Sequence, residues 1–122
     1  SYATVAAERG HAVTLFDAAS EIGGQFNLAK RVPGKEEFYE TLRYYKRMLE
    51  IYDVEVCLNS MVSAEQVQQG GFDHVVVATG ITPRTPDIEG IDHPSVVSYI
   101  DVIRGNCEVG KRVAVMGAGG IG

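Results

Sequence analysis

Tryptophan is absent from this 122-residue chain, and cysteine, proline, histidine and positive charge are all scarce. The two cysteines, Cys57 and Cys107, lie far apart with no C-x-x-C and no Cys/His cluster. That excludes a zinc site, a disulfide framework and dithiol exchange. The three histidines, His11, His74 and His93, are scattered, and neither a Ser-His-Asp set nor a metal-ligand run accompanies them. No catalytic residue and no metal ligand is therefore assigned. Eleven Lys+Arg against sixteen Asp+Glu leave a formal charge of −5, so no basic stripe is available to displace counterions from a nucleic-acid backbone. Apolar runs fall well short of the roughly 18 to 20 residues a membrane span needs, and no basic-then-apolar leader opens the chain. The expectation is a reduced, soluble, cytoplasmic protein with no nucleic-acid or membrane partner.

Glycine, by contrast, is plentiful at 14 residues. The chain closes on Gly117-Ala118-Gly119-Gly120-Ile121-Gly122, a complete G-x-G-x-x-G, preceded by the strand-like run 111–116. In a dinucleotide-binding turn the first glycine, Gly117, permits the tight turn. The second, Gly119, admits a pyrophosphate to the backbone, and the third, Gly122, lets helix and strand pack closely. The phosphates then lie at the start of the following helix, where free N–H groups and the dipole favour anions.

The opening shows a complementary pattern. Residues 2–9 read as a helix with Tyr2, Val5 and Ala6 on one face and Gly10 as its stop. Residues 12–16 follow as a strand ended by Asp17. A Rossmann unit places an acid about 20 positions after its glycine fingerprint, to bind a ribose hydroxyl. Asp17 is thus a ribose-ligand candidate; the competing role for an acid at a strand end is to cap the next turn. An acid there disfavours a 2′-phosphate, which points to FAD or NAD rather than NADP at this first site. The expectation is a slice of a longer protein, lying between two dinucleotide fingerprints.

Between these ends, 21–27 is a loop whose paired Gly23 and Gly24 let backbone crowd an anion. Val32-Pro33-Gly34 is a turn. Residues 35–52 predict an amphipathic helix, with Phe38, Leu42, Tyr45, Leu49 and Tyr52 on the core side. Residues 54–58 predict a strand in which Cys57 is a small core hydrophobe, and 64–69 a helical turn before Gly70-Gly71. The run 73–80 is the strongest strand signal, its three consecutive valines suggesting burial on both faces of a parallel sheet. Pro83, Pro86 and Pro94 punctuate an extended connection, and Ser98 caps a short helix over 99–104 with Asp101 at its third position.

These residues resemble a known family. VTLFDAASEIGGQFNLAKRVPGKEEFYETLRYYKRML, then VVVATGITPRTPDIEGIDHPSVVSYIDV and VAVMGAGGIG, are similar to the FAD/NAD(P)-binding region of bacterial 2,4-dienoyl-CoA reductases. Those enzymes belong to the trimethylamine dehydrogenase and NADH:flavin oxidoreductase family. The strand-ending acid and A-T-G-x-x-P-R are common to many two-dinucleotide flavoenzymes, whereas GGQFN-x-AK-x-x-PGKEEF is far narrower. The resemblance implies an α/β, partial Rossmann-like fold of the two-dinucleotide flavoprotein kind, truncated at both ends. Residues 1–110 would be an FAD-binding domain lacking its first fingerprint. Residues 111–122 would be the first strand and glycine loop of an NAD(P)-binding module.

The implied site has Asp17 as FAD ribose acid, Gly24 and Gln25 in an FAD-contacting loop, and Lys30 or Arg31 beside the phosphates. Val62 matches the position whose backbone meets adenine, and Ala78, Thr79 and Gly80 pass the FAD pyrophosphate. Gly117, Gly119 and Gly122 match the nicotinamide-cofactor fingerprint; the resemblance implies NADP(H) there, while the residue that separates NADH from NADPH falls beyond Gly122. The remaining polypeptide, implied as this region's partner, would carry a TIM barrel with FMN and a 4Fe-4S cluster. Electrons would run from NADPH through FAD, cluster and FMN to a dienoyl thioester in unsaturated fatty-acid β-oxidation. An amine dehydrogenase of the same architecture is one alternative, and a stand-alone FAD/NAD(P)-binding electron-transfer subunit another. The slice alone is expected to be inactive.

Overall fold

The computed structural model describes residues 1–117, so Gly119 and Gly122 lie outside the described residues. The chain divides into two compact units, Ser1–Thr82 and Pro83–Gly122. In the first unit the order is α1 (Tyr2–Glu8), β1 (Thr14–Phe16), α2 (Phe26–Ala29), α3 (Glu37–Ile51), β2 (Glu55–Cys57) and α4 (Ala64–Gln69); the second holds α5 (Tyr99–Arg104).

Strand β1 pairs with β2 in parallel, with Thr14 opposite Glu55, Leu15 opposite Val56 and Phe16 opposite Cys57. Parallel neighbours need a crossover that carries the chain back along the sheet, and α2 with α3 supplies it. The predicted face of α3 is the one turned inward. Leu42 and Leu49 are buried, joined in the core by Leu28 of α2 and by Val54 just before β2. Phe26 and Phe38 meet edge to face at 4.8 Å between centroids, locking α2 against the start of α3. Cys57 is half-buried and free.

Helix α1 forms where expected, and Gly10 ends it with a φ of +90° that a side chain disfavours. Its buried residue is Thr4, whereas Tyr2 and Val5 of the expected apolar face are exposed. Thr4 can be buried because its hydroxyl is satisfied locally, donating to the Ser1 carbonyl at 2.7 Å. The α1 end is tied to the α3 end through Tyr52, whose hydroxyl donates to Glu8; that bond holds its pKa above the ordinary value.

Two expected strands are corrected by the structure. Residues 73–80 and 111–116 run without a ladder, and Val77 and Val115 are 80% and 77% exposed. Strand propensity is a preference for a pleated surface with neighbours. Among the described residues no strand pairs with either segment, so their valines are extended but uncovered. The strands that do form are shorter than predicted for the same reason, since the mutual ladder spans three residues on each side.

The second unit keeps its local signals. Ser98 accepts from the Asp101 N–H at 3.1 Å as the N-cap of α5, and Gly105 closes the helix in the left-handed region at φ +77°.

Candidate functional site

Both parallel strands deliver their carboxyl ends to one edge, the side on which open α/β sheets bind ligands. There Asp17 is pinned from two directions. Its N–H donates to the Cys57 carbonyl at 3.0 Å, and its own carbonyl accepts from the Ser60 N–H at 2.9 Å. The Asn59 N–H also donates to the Ala19 carbonyl at 2.9 Å, which the chain reaches by holding Asn59 at φ +52°. These bonds bring the segment after β2 alongside the segment after β1. Val62, half-buried, follows two residues beyond Ser60. The sheet thus brings Asp17 and Ser60, two residues before the candidate Val62, to one edge.

The Asp17 carboxylate already has one task. Its Oδ1 accepts from the Ala19 N–H at 2.9 Å, closing an Asx turn. A carboxylate offers about four acceptor positions, so the turn cap and a ribose hydroxyl are compatible. The observed arrangement is the capping role, with capacity left over.

The loop after Asp17 carries the second group of candidates. Gly23 and Gly24 both adopt positive φ, +123° and +49°, yet for different ends. A Cβ on Gly23 would stand 2.6 Å from Leu42 Cδ2 and 3.0 Å from Asn27 Nδ2, so this glycine lets the loop press onto α3. A Cβ on Gly24 would meet nothing within 4 Å, so Gly24 faces open space. Gln25 is exposed beside it, and among the described residues no acceptor meets the N–H of Gly24 or Gln25. Exposed backbone donors around an open glycine suit an anionic or polar ligand.

Lys30 sits differently from the expectation of a phosphate neighbour. Its side chain is only 12% exposed and its Nζ lies 3.6 Å from Glu21 Oε2. The ammonium donates to Asn27 Oδ1 at 2.7 Å and stands 5.2 Å from the Tyr39 ring centroid. Asn27 and Glu21 are site residues that the sequence did not single out. The Asn27–Lys30 spacing of three on a helical turn was a usable signal; the reach of Glu21 across the loop was not. Arg31 is exposed at the end of the same turn.

Ala78, Thr79 and Gly80 are exposed in an extended stretch, with Gly80 at φ +77° and open space around it. Gly117 has the positive φ, +103°, that the opening residue of a glycine turn requires. A groove of about 520 Å³ flanks α3 between Lys30, Tyr39, Arg43 and Arg47. Its cations are matched by Glu21, Glu40 and Glu50 at 2.5 to 4.0 Å, which makes it a solvated helix face rather than an anion site. No group of three potential metal-ligating side chains occurs among the described residues. No helix among them is long and apolar enough to cross a membrane.

Comparison with known proteins places these residues in a wider context. Cinnamate reductase of Clostridium sporogenes is 38% identical over 98% of this chain and 18% of its own length. The N,N-dimethylglycine/sarcosine dehydrogenase of Chromohalobacter salexigens is 36% identical over 93% of the chain and 17% of its own length. Among solved structures, 2-naphthoyl-CoA reductase in complex with 2-naphthoyl-CoA superposes on 88% of the chain and 16% of its own, with a TM-score of 0.81 and 35% identity. The chain therefore spans less than a fifth of the length of these relatives. Across residues 1–122 it matches the family described as pyridine nucleotide-disulphide oxidoreductase.

Proposed function

Because the chain belongs to the pyridine nucleotide-disulphide oxidoreductase family, with its Rossmann-like α/β fold, we propose that it is the electron-entry segment of a longer flavin-dependent reductase. It holds FAD, accepts electrons from NADPH, and passes them to an acceptor site elsewhere in the polypeptide. The acceptor is a carbon–carbon double bond conjugated to a thioester carbonyl, and the specific substrate proposed is a 2,4-dienoyl-CoA. Each double bond reduced consumes one NADPH and one proton.

The observation that supports this most directly is the common edge at which the Ser60 N–H donates to the Asp17 carbonyl at 2.9 Å, with Val62 two residues further on. FAD, when bound, supplies acceptance of an electron pair from the nicotinamide. This chain's own residues do the holding. Asp17 accepts from ribose hydroxyls with the capacity its turn leaves free, and the backbone at Val62 lies against adenine. Gly24 and Gln25 offer backbone donors at the open part of the loop. Arg31 with Ala78, Thr79 and Gly80 lines the pyrophosphate, and Lys30 supports that loop. Gly117, Gly119 and Gly122 form the NADP(H) turn. FMN and a 4Fe-4S cluster belong to the rest of the polypeptide in this reading.

The relatives' names support a conjugated, carbonyl-activated substrate, since both cinnamate and 2-naphthoyl-CoA carry one. The similarity to an N,N-dimethylglycine/sarcosine dehydrogenase favours a second reading, oxidation of a methylated amine with electrons running the other way.

The test is an anaerobic assay of the full-length protein with NADPH, NADH, a 2,4-dienoyl-CoA and a tertiary methylamine. NADPH oxidation that depends on the dienoyl-CoA is the expected result. Flavin reduction by NADPH without dienoyl turnover keeps the electron-entry role and overturns the substrate. A flavin that stays oxidised under both nicotinamides but bleaches with the amine overturns the reductase reading.

A further inference from the structure

We propose that Lys30 is a positioning residue for the flavin site, fixing the glycine loop through Asn27 instead of touching phosphate itself. This rests on the FAD reading above and deepens it.

The geometry forms a chain of three groups. Lys30 Nζ donates to Asn27 Oδ1 at 2.7 Å, and Asn27 Nδ2 donates to the Ile22 carbonyl at 3.0 Å. An ammonium only donates, and a carbonyl only accepts. Reversing the Asn27 amide would set its NH₂ against the ammonium and its oxygen against the carbonyl. Lys30 therefore selects which way Asn27 points. Asn27 in turn selects the path of Ile22-Gly23, because Gly23 passes so close that a Cβ there would be 3.0 Å from Asn27 Nδ2. Gly24 and Gln25, the open part of the loop, follow immediately.

Three partners surround the ammonium and hold it in this role. Glu21 lies 3.6 Å away, Asn27 Oδ1 accepts one of its hydrogen bonds, and the Tyr39 ring centroid lies 5.2 Å from it. The Lys30 side chain is 12% exposed and that of Glu21 44%, so the ammonium is sheltered while its carboxylate partner still meets solvent. Turning to a phosphate would forfeit Glu21, Asn27 and Tyr39 together. Glu21 also reaches Lys46 of α3 at 4.0 Å, so the clamp ties the loop to the helix beneath it.

The experiment measures FAD affinity of the full-length apoprotein at low and high salt for Lys30→Met, Asn27→Ala, the double variant and Lys30→Arg. Positioning through Asn27 predicts that each single change weakens binding about tenfold, the scale of one lost charge-assisted hydrogen bond. The double variant should then be no weaker than the worse single, because the two residues act as one unit. The salt dependence of binding should match the unaltered protein, and Lys30→Arg should keep affinity within about threefold of it, since a guanidinium retains the charge and the donors. Multiplying losses in the double variant, with a flatter salt dependence in Lys30→Met, would show a direct phosphate contact and overturn the proposal. Unchanged affinity in Lys30→Met overturns it as well. Should the unaltered protein itself hold no FAD, the flavin reading fails first, and the positioning role falls with it. If Lys30→Met does not fold, Asn27→Ala decides between the two roles: a salt dependence and affinity equal to the unaltered protein overturn the clamp.

Discussion

Two adjacent glycines do different work in the loop after Asp17, and the difference is measurable. At Gly23 a side chain faces both an unfavourable φ of +123° and a 2.6 Å collision with Leu42 Cδ2, a buried core atom that cannot swing away freely. At Gly24 only the backbone objects, with φ +49° and no atom within 4 Å. Backbone strain and overpacking each cost on the order of 1–3 kcal/mol. Gly23→Ala should therefore destabilise the first unit by about 2–6 kcal/mol, and Gly24→Ala by only about 1–2 kcal/mol. Chemical denaturation of the two variants against the parent protein checks this, and equal losses would contradict the assigned contacts. FAD affinity should rank the variants differently, because Gly24 is the residue that faces the ligand in the proposed site. Asp17 shows the same layering of roles in one side chain. Its turn-capping bond to Ala19 is visible in the structure, and the ribose role rests on acceptor capacity left unused.

Short elements survive here where local signals agree. Six residues are too few for a helix to persist on propensity alone, yet α5 is closed at both ends. The Ser98 hydroxyl accepts from the Asp101 N–H and donates to Asp101 Oδ2 at 2.7 Å, while Asn106 Nδ2 donates to Oδ1 at 3.1 Å. These bonds hold the Asp101 carboxyl below its ordinary value of 3.8. A depressed folded-state pKa means the carboxylate supports the helix at pH above 3.8 and withdraws that support as pH falls through the lower folded value. An NMR titration of Asp101 should show a midpoint below 3.8, moving back up in Ser98→Ala. An unshifted midpoint would remove the carboxylate from the capping network. The start and extent of α5 were legible in the sequence because cap and acid lie three positions apart, whereas the closing Gly105 and the Asn106 bond emerge only from the structure. The α3 face and the Asp17 strand end were legible too, through periodicity and a strand's natural stop. The Glu21–Lys30 clamp was not, because it depends on a loop folding back over a helix. Residues 73–80 misled for the opposite reason: three valines state a preference for a sheet interior, and only a partner strand can satisfy it.

At the scale of the molecule, the buried apolar set is small and local. Leu28, Leu42, Leu49 and Val54 form it among the described residues, all within the first unit. Val75, Val76, Val77, Val113, Val115 and Met116 are exposed by half or more. Contiguous apolar side chains on unladdered backbone mark surfaces that want cover and pairing. The chain spans less than a fifth of its relatives' length, and the proposed FAD site draws Ala78, Thr79 and Gly80 from the first of these uncovered segments. In isolation, binding FAD would require ordering them at the moment of binding, at roughly 1–2 kcal/mol per residue fixed. The 122-residue chain alone should thus bind FAD at least about a hundredfold more weakly than the full-length protein, with only two or three residues' ordering needed to account for it. It should also bind a hydrophobic dye through its valine segments, and in the full-length protein the amides of 73–80 should be strongly protected from hydrogen exchange. Tight one-to-one FAD binding by the isolated chain would mean that Asp17, Val62 and the Gly23–Gly24 loop suffice as they stand. In that case the valine segments would be a docking surface for another part of the protein rather than a wall of the flavin site.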